Sequence, residues 1–437
     1  MKKILIYSLF PVFLASNITK WYISVGDIRI YYAHLALLCW FSMAIPCMLR
    51  LGFRIPRGIK TLMLLKYIYI AVVLLAIPSI FSEVGRPEFY TYIKGILVTG
   101  FEGLSIILML VFATQLKTGE RNTVVNLYLA SITICIGYTF LQALAIYGHG
   151  VDLDIVVASH LPFWNGQTPG IAREVFGLAS GTYYRFNGFA GDPNLNGMTF
   201  LVATPIVFLR AVEKRSLLLG ALFLVFVGTI VLTVSNTAIL LTLPVLLLLS
   251  LKYWQRSRWV VITMGCVFAA LGIIFTVRYG ADFKETLQWK FKLAEGGTAS
   301  SHLDIGREAL SIWFHHPLGI GINSYPRYSS SYSAHDSYLQ TLVELGPLGL
   351  AACIGWVLYC LVKCSQAREN IGFVTALSVG ALALGAVGHD LLNRFEFQLA
   401  INLLVAFVIL NHQDRIRRNA VSPMYADEPV GLSSRPT

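Results

Sequence analysis

The chain has 437 residues, of which 56% are hydrophobic and only 13% charged; soluble proteins are about 45–50% apolar and about 25% charged. This balance excludes a secreted disulfide domain, a disordered tail protein and a cytosolic enzyme, and indicates a polytopic membrane protein. The formal net charge of +11 does not point to nucleic acid, because the basic residues sit in short clusters between apolar runs, as topology signals do.

A membrane-crossing helix needs roughly 20 apolar residues. In chain order, such runs are expected at 4–22, 30–49, 62–82, 93–114 and 123–147. Further runs lie at 196–212, 216–233, 237–252 and 259–277, and the last three at 338–362, 371–389 and 396–412. The expected fold is therefore all-α: a bundle of about 12 transmembrane helices with two long external loops. The organisation reads as 1–147 (helices one to five), 148–195 (external loop), 196–277 (helices six to nine), 278–337 (large external loop), 338–412 (helices ten to twelve) and 413–437 (tail). Lys2-Lys3 followed by an apolar run imitates a signal peptide, but no small-x-small cleavage site follows clearly, so a retained first span is expected. The cysteines lie in or beside apolar runs, which gives neither a disulfide framework nor a zinc site.

Orientation follows from lysine and arginine bias. One set of loops holds clusters such as Arg50/Arg54/Arg57/Lys60, Arg210/Lys214/Arg215 and Arg415/Arg417/Arg418. Together with the terminal cations these make about 20 positive charges in about 70 loop residues, against about 13 in about 140 on the other side. Both termini are then cytoplasmic and both long segments external, which in a bacterial inner membrane means periplasmic.

Chemistry is expected in those external segments. The first ends in Tyr184-Arg185-Phe186-Asn187-Gly188-Phe189-Ala190-Gly191-Asp192-Pro193-Asn194-Leu195-Asn196-Gly197. Its glycines and Asp-Pro-Asn turn bend the chain just before a span. A plain loop-to-helix junction capped by Asn194 or Asn196 is one reading, with Asp192 in an Asx-turn. The other is anion binding, since an arginine beside a helix start suits a phosphate group. The second segment carries Arg307-Glu308, then His315-His316-Pro317-Leu318-Gly319-Ile320-Gly321, then His335-Asp336-Ser337-Tyr338-Leu339-Gln340 and Glu344-Leu345-Gly346. From Arg307 to Phe314 the pattern predicts an amphipathic helix lying on the membrane.

Arg278 and Arg327 are external and could join an anion site, although solvated or headgroup-facing arginines are the plainer reading. His315 and His316 fit packing or capping roles beside the proline turn. Glu102 and Glu344 fall inside spans, where a carboxylate is a functional candidate by default. His34 and His389 lie near span ends, where interfacial hydrogen bonding is the expected role.

The stretch from Arg307 through Gly349 resembles the O-antigen ligase/polymerase superfamily. In that family an arginine-bearing helix, a His-Pro-Leu-Gly-x-Gly turn and a His-Asn-x-Tyr-Leu-Gln segment followed by Glu-Leu-Gly occur in this order. The upstream Arg185, Gly188, Asp192-Pro193-Asn194 and Gly197 resemble its arginine-glycine-proline-asparagine junction. Two positions depart from the pattern: Asp336 stands where asparagine is usual, and Ser235-Asn236 where a serine-arginine pair is common. The first could change the proton affinity of His335; the second removes an anionic contact.

The resemblance implies metal-independent glycosyl transfer outside the membrane on a helical fold of the type called GT-C, with no cofactor. The implied donor is an undecaprenyl-diphosphate-linked glycan, and the acceptor is another glycan or a lipid. It implies catalytic roles for Arg185 and Arg307 at the diphosphate and for His335 as base or acceptor-positioning group. Asp192, Asn194, Arg278, Arg327, Asp336 and Tyr338 are expected to contribute to substrate binding. The bilayer is an obligatory partner, and a polymerase would also work with a chain-length regulator. Polymerisation of repeat units is favoured slightly over ligation to lipid A–core or protein. A transporter or flippase of lipid-linked sugars is the alternative from another class, but internal repeats and paired interrupted helices are not seen by eye.

Overall fold

The computed structural model describes residues 2–18, 22–25, 28–51, 55–75, 87–160, 175–178, 181–255, 265, 298–329, 331, 333–367 and 369–421. The helices in chain order are α1 (Lys2–Tyr7), α2 (Leu9–Ser16), α3 (Tyr32–Leu51), α4 (Arg57–Leu75), α5 (Pro87–Ala113), α6 (Thr118–His149) and α7 (Leu153–His160). They continue with α8 (Pro193–Lys214), α9 (Leu217–Leu232), α10 (Asn236–Gln255), α11 (Thr298–His315) and α12 (Tyr325–Tyr328). The last three are α13 (Ser337–Gln366), α14 (Asn370–Gly385) and α15 (Phe395–Val421). Two antiparallel hairpins are the described strands: β1 (Tyr22–Val25) with β2 (Ile28–Tyr31), and β3 (Val175–Leu178) with β4 (Gly181–Tyr184).

The fold is an all-α polytopic membrane bundle. Eight of these helices, α3 to α6, α8, α10, α13 and α15, are long and apolar enough to cross a membrane, and α9 and α14 are shorter apolar helices. The expected first span is divided into α1 and α2 at Ser8. The expected span at 259–277 lies outside the described residues, as does Arg278.

Two helices form the centre. The membrane windows of α8 and α15 are almost wholly buried, and their apolar residues run into one continuous core that includes Phe200, Phe208, Leu404 and Phe407. α8 packs against α9 and α14, while α13 packs against α4, α14 and α11. Because both central helices are covered on all sides, their buried polar groups must find partners inside the bundle. Asn402 of α15 does so by accepting from Trp356 at 3.1 Å, and the Val202 carbonyl of α8 also accepts from Ser378 of α14 at 2.7 Å.

Lys66 on α4 is the clearest polar group inside the bundle. Its ammonium donates to Oε1 of Gln398 on α15 and lies over the rings of Tyr69, at 5.4 Å, and Trp356, at 5.3 Å. Cation–π contact and an amide oxygen are what a buried ammonium can use in place of water. On α3 and α5, His34 and Glu102 meet at 3.2 Å, so the intramembrane carboxylate has a partner.

At the end of the bundle where α1 and α6 begin, Lys2 pairs with Glu120 at 2.6 Å and Arg121 with Asp414 at 2.8 Å. Ion pairs of this kind tie α1, α6 and the end of α15 together.

Candidate functional site

The upstream arginine junction is built onto the C-terminal end of α6. Phe189 stacks on Tyr138 with ring centroids 4.0 Å apart. Gln142 accepts from the amide of Gly188 at 2.9 Å and donates to Asn187 at 3.2 Å. Gly188 has φ +53°, and a Cβ there would lie 2.6 Å from both Thr139 and Asn196. A glycine is needed at that point for both reasons.

The helix start that follows is capped by Asp192 rather than by Asn194 or Asn196. Its carboxylate accepts from the amides of Asn194, at 2.8 Å, and Leu195, at 2.9 Å, with Pro193 in the first turn. Both are favoured N-terminal choices. Asn194 is thereby free to receive Arg185, whose guanidinium donates to its Oδ1 at 2.7 Å. Asn196 points inward and donates to Thr139 at 3.1 Å. Arg185 is buried, so its orientation is fixed by the junction and not left to solvent.

A second junction of the same design opens α13. Asp336 accepts from the amides of Tyr338, at 2.8 Å, and Leu339, at 2.9 Å. The residue before it, His335, takes φ +53°, a left-handed conformation in which histidine is enriched. The result is an exposed imidazole projecting at a helix start. Its backbone is held through a chain of hydrogen bonds: Gln340 accepts from the amide of Ala334 at 2.7 Å and donates to Glu344 at 2.7 Å. Glu344 also accepts from the amide of Tyr325, at 3.3 Å. The carboxylate inside the span therefore organises the segment that presents His335. Tyr338 donates its hydroxyl to the carbonyl of Ala383 at 3.0 Å, which ties α13 to α14.

The His-Pro-Leu-Gly-x-Gly turn has a mechanical role. The amides of Ile320 and Gly321 donate to the carbonyls of Val343, at 3.0 Å, and Glu344, at 2.8 Å. At Gly346 (φ 68°, ψ −171°) α13 breaks before Pro347, which leaves those carbonyls available. The turn and the break interlock so closely that a Cβ on Gly319 would meet Glu344 O at 2.6 Å, and one on Gly346 would meet Leu318 O at 2.7 Å.

α11 lies against α13 through Ala309 and Ile312, which pack with Ile320, Tyr325 and Val343. Its other face carries Leu303, Arg307, Leu310 and Phe314, all exposed, at spacings of four, three and four that place them in one stripe. This is the amphipathic pattern expected from the sequence, in a longer helix. Arg307 is 80% exposed and pairs with Asp304 at 3.4 Å. His302, on the same helix, lies edge-to-face with His335, with ring centroids 5.2 Å apart. Burial, with the neighbouring His335, lowers the pKa of His302. Arg327 is on α12; Ser329 beyond it donates to Glu308 at 2.9 Å. His316 packs edge-on against Tyr328, with centroids 5.1 Å apart, and His315 hydrogen-bonds the carbonyl of Ser311 at 2.7 Å. These are the packing and capping roles expected of that pair.

The two junctions meet at the loop between α14 and α15. Ser337 donates to the carbonyl of His389 at 2.8 Å and accepts from the amides of Leu391, at 2.6 Å, and Leu392, at 3.1 Å. Its own amide donates to Ala386 at 2.8 Å. The His389 ring contacts Thr237 of α10 at 3.2 Å. Burial pushes the imidazole down to about 4; Asp192 opposes this, while His302, His335 and Arg185 reinforce it. All four are thus near enough to act electrostatically on one ring. Arg394, later in the same loop, is open to solvent. Glu396, Asp390 and Asp192 together hold its pKa above the usual value.

His389 and Arg394 sit outside the motifs that mark the other residues. Only their position in a short loop between two apolar runs could have singled them out, and that signal is weak. In contrast, Arg185, Asp192 and His335 belong to the two motif-bearing segments, and all three act electrostatically on His389.

A helical membrane bundle with arginine and histidine gathered at two helix starts defines a class: a multi-pass membrane protein with a polar site at one end. Residues 221–354 match the family model described as O-antigen ligase. The match spans α9 to the break in α13 and includes Arg307, the interlocked turn and His335. It bears out the resemblance of this region to the O-antigen ligase/polymerase superfamily, an enzyme family. No curated protein matches the chain.

Proposed function

We propose that the protein is a glycosyltransferase that takes a glycan from an undecaprenyl-diphosphate donor at the outer face of a bacterial inner membrane. The observation that carries this reading is the convergence of Arg185, Asp192, His302 and His335 around the α14–α15 loop. Arg185 supplies a fixed positive charge beside the start of α8, where a guanidinium suits a phosphate group. Breaking a glycosidic bond to a lipid diphosphate builds negative charge on the leaving group. Guanidinium groups stabilise that charge through two-point contacts.

In this reading Arg185 is the buried, preset member of the clamp. Arg307, exposed among Leu303, Leu310 and Phe314, is the member that meets the lipid headgroup at the bilayer surface. His335 takes the proton of the attacking acceptor hydroxyl, a role that suits an accessible imidazole near neutral pH. Asp192 and Asn194 hold Arg185 and the helix start in place. Charge stabilisation is assigned to guanidinium groups and not to a metal ion, as the resemblance implies.

Polymerisation of repeat units is preferred over ligation to lipid A–core or protein, on the resemblance of the Asp-Pro-Asn junction alone. Transfer assayed on purified protein with a lipid-diphosphate-linked glycan tests the reading. Arg185→Ala, Arg307→Ala and His335→Ala should each lose most activity at normal membrane abundance; general base catalysis alone contributes about 10²–10⁴-fold. Arg307→Lys should rescue poorly, because an ammonium cannot make the planar two-point contact. Full activity in both arginine-to-alanine variants would refute the clamp, and undiminished turnover in His335→Ala would remove the base.

A further inference from the structure

We infer that His389, in the α14–α15 loop, is a further substrate-positioning residue, and that it holds a hydroxyl group of the glycan beside the base. The inference rests on the glycosyl-transfer reading and adds a residue to the same site. Three observations carry it.

The loop is fixed to the segment bearing His335. Ser337 alone makes hydrogen bonds to His389, Leu391 and Leu392, and its amide reaches Ala386. A side chain on this loop therefore keeps its place relative to His335 without relying on long-range packing.

Groups already assigned to the reaction act electrostatically on the ring: Arg185 and Asp192 of the upstream junction, His302 of α11 and His335 before α13; Asp390 follows it on its own loop. On the α10 side Thr237 takes one ring nitrogen at 3.2 Å. Among the described residues, that hydroxyl is the hydrogen-bonding partner of the ring, so the second nitrogen remains for a ligand.

The chemistry of the ring then selects the ligand. Enclosed, and flanked by cationic or potentially cationic groups, the imidazole stays neutral through the physiological range. A neutral imidazole has one donor and one acceptor. A sugar hydroxyl can pair with whichever nitrogen Thr237 leaves, whereas the diphosphate already has arginines to meet its charge. The ring thus places a hydroxyl without exchanging a proton, which separates its task from that of His335.

The test compares wild type, His335→Ala, His389→Ala, His389→Gln and Thr237→Val in transfer from the lipid-diphosphate donor. Turnover, the acceptor KM and membrane abundance are measured across about pH 5.5 to 8. His389→Ala should lose about ten-fold or more in kcat/KM, the cost of roughly one hydrogen bond to a reacting substrate. His389→Gln should recover most of that loss and follow the wild-type pH profile, since an uncharged hydrogen-bonding group is all that is required. Thr237→Val should show a smaller loss in the same direction. If His389→Ala is poorly inserted, the glutamine and valine variants carry the comparison. Wild-type kcat/KM in His389→Ala while His335→Ala is inactive would overturn this inference and leave the proposed function standing. A glutamine variant as impaired as the alanine one, at normal abundance, would also overturn it. Absence of transfer by the wild-type protein would instead overturn the glycosyl-transfer reading itself.

Discussion

Asp192 and Asp336 perform the same local task at two helix starts, each accepting two backbone amides that have no partner within the helix. That task explains how aspartate can stand at 336 where asparagine is usual: both are good caps. The two differ in charge. Burial raises the Asp336 carboxyl above its ordinary 3.8, against the pull of the Leu339 and Tyr338 amides. The folded protein then binds this proton more tightly than the unfolded chain, so stability falls as pH climbs from about 3.8 to the raised folded value. Asp336→Asn keeps the cap and should remove that decline. Its thermal midpoint at neutral pH should equal or exceed that of wild type. Asp336→Ala loses the cap and should cost about 0.5–2 kcal/mol. Thermal unfolding in detergent across acid and neutral pH measures both, and an alanine variant as stable as wild type would show that the cap contributes nothing. At this scale the motif residues were legible in the sequence, because glycine, proline and Asx side chains have strong local preferences. The choice of Asp192 over its neighbours as the cap was less so, since three candidates lie within five residues. His389 was legible only as a hydrogen-bonding residue near a span end, because its place beside the site arises from chain segments folded against it.

Among the elements, α11, the 317–321 turn and the break in α13 form one mechanical unit beside the proposed site. Gly319 and Gly346 are its interlocking points, each with positive φ and each facing the other segment's backbone. A left-handed backbone costs a non-glycine residue roughly 1–2 kcal/mol, and a clash with backbone cannot be relieved by a rotamer change. Gly319→Ala and Gly346→Ala should therefore lower the thermal midpoint and reduce membrane abundance together. Gly355, further along α13 with nothing near its Cβ direction, should accept alanine without loss. Equal behaviour of all three variants would show that the interlock does not stabilise the fold. The long helices were readable from apolar run length, because lipid imposes a fixed span. The break at Gly346 was not readable, since Glu344-Leu345-Gly346-Pro347 lies in an otherwise unbroken apolar run and needs the docked turn to satisfy its carbonyls.

Across the whole molecule, the ion pairs of Lys2 with Glu120 and Arg121 with Asp414 gather at the end opposite the site residues. This arrangement agrees with the lysine and arginine bias of the loops and leads to a topological prediction. A reporter active only outside the membrane should be active when fused after Ser300 or Gly166, and silent after Gly58 or Arg256. Activity at Gly58 with silence at Ser300 would invert the orientation and place the site on the cytoplasmic side.

Lys66 carries a consequence for how the protein is made. Its amide partner, Gln398, lies 332 residues later in the chain, on the last of the described helices. At about 5–20 residues per second, ribosomal elongation separates the two by roughly 20–60 s. Throughout that interval the Lys66 ammonium has not met Gln398, and a charged side chain at depth is costly in lipid. A chain truncated before α15 lacks Gln398 and leaves the Lys66 ammonium without this amide partner.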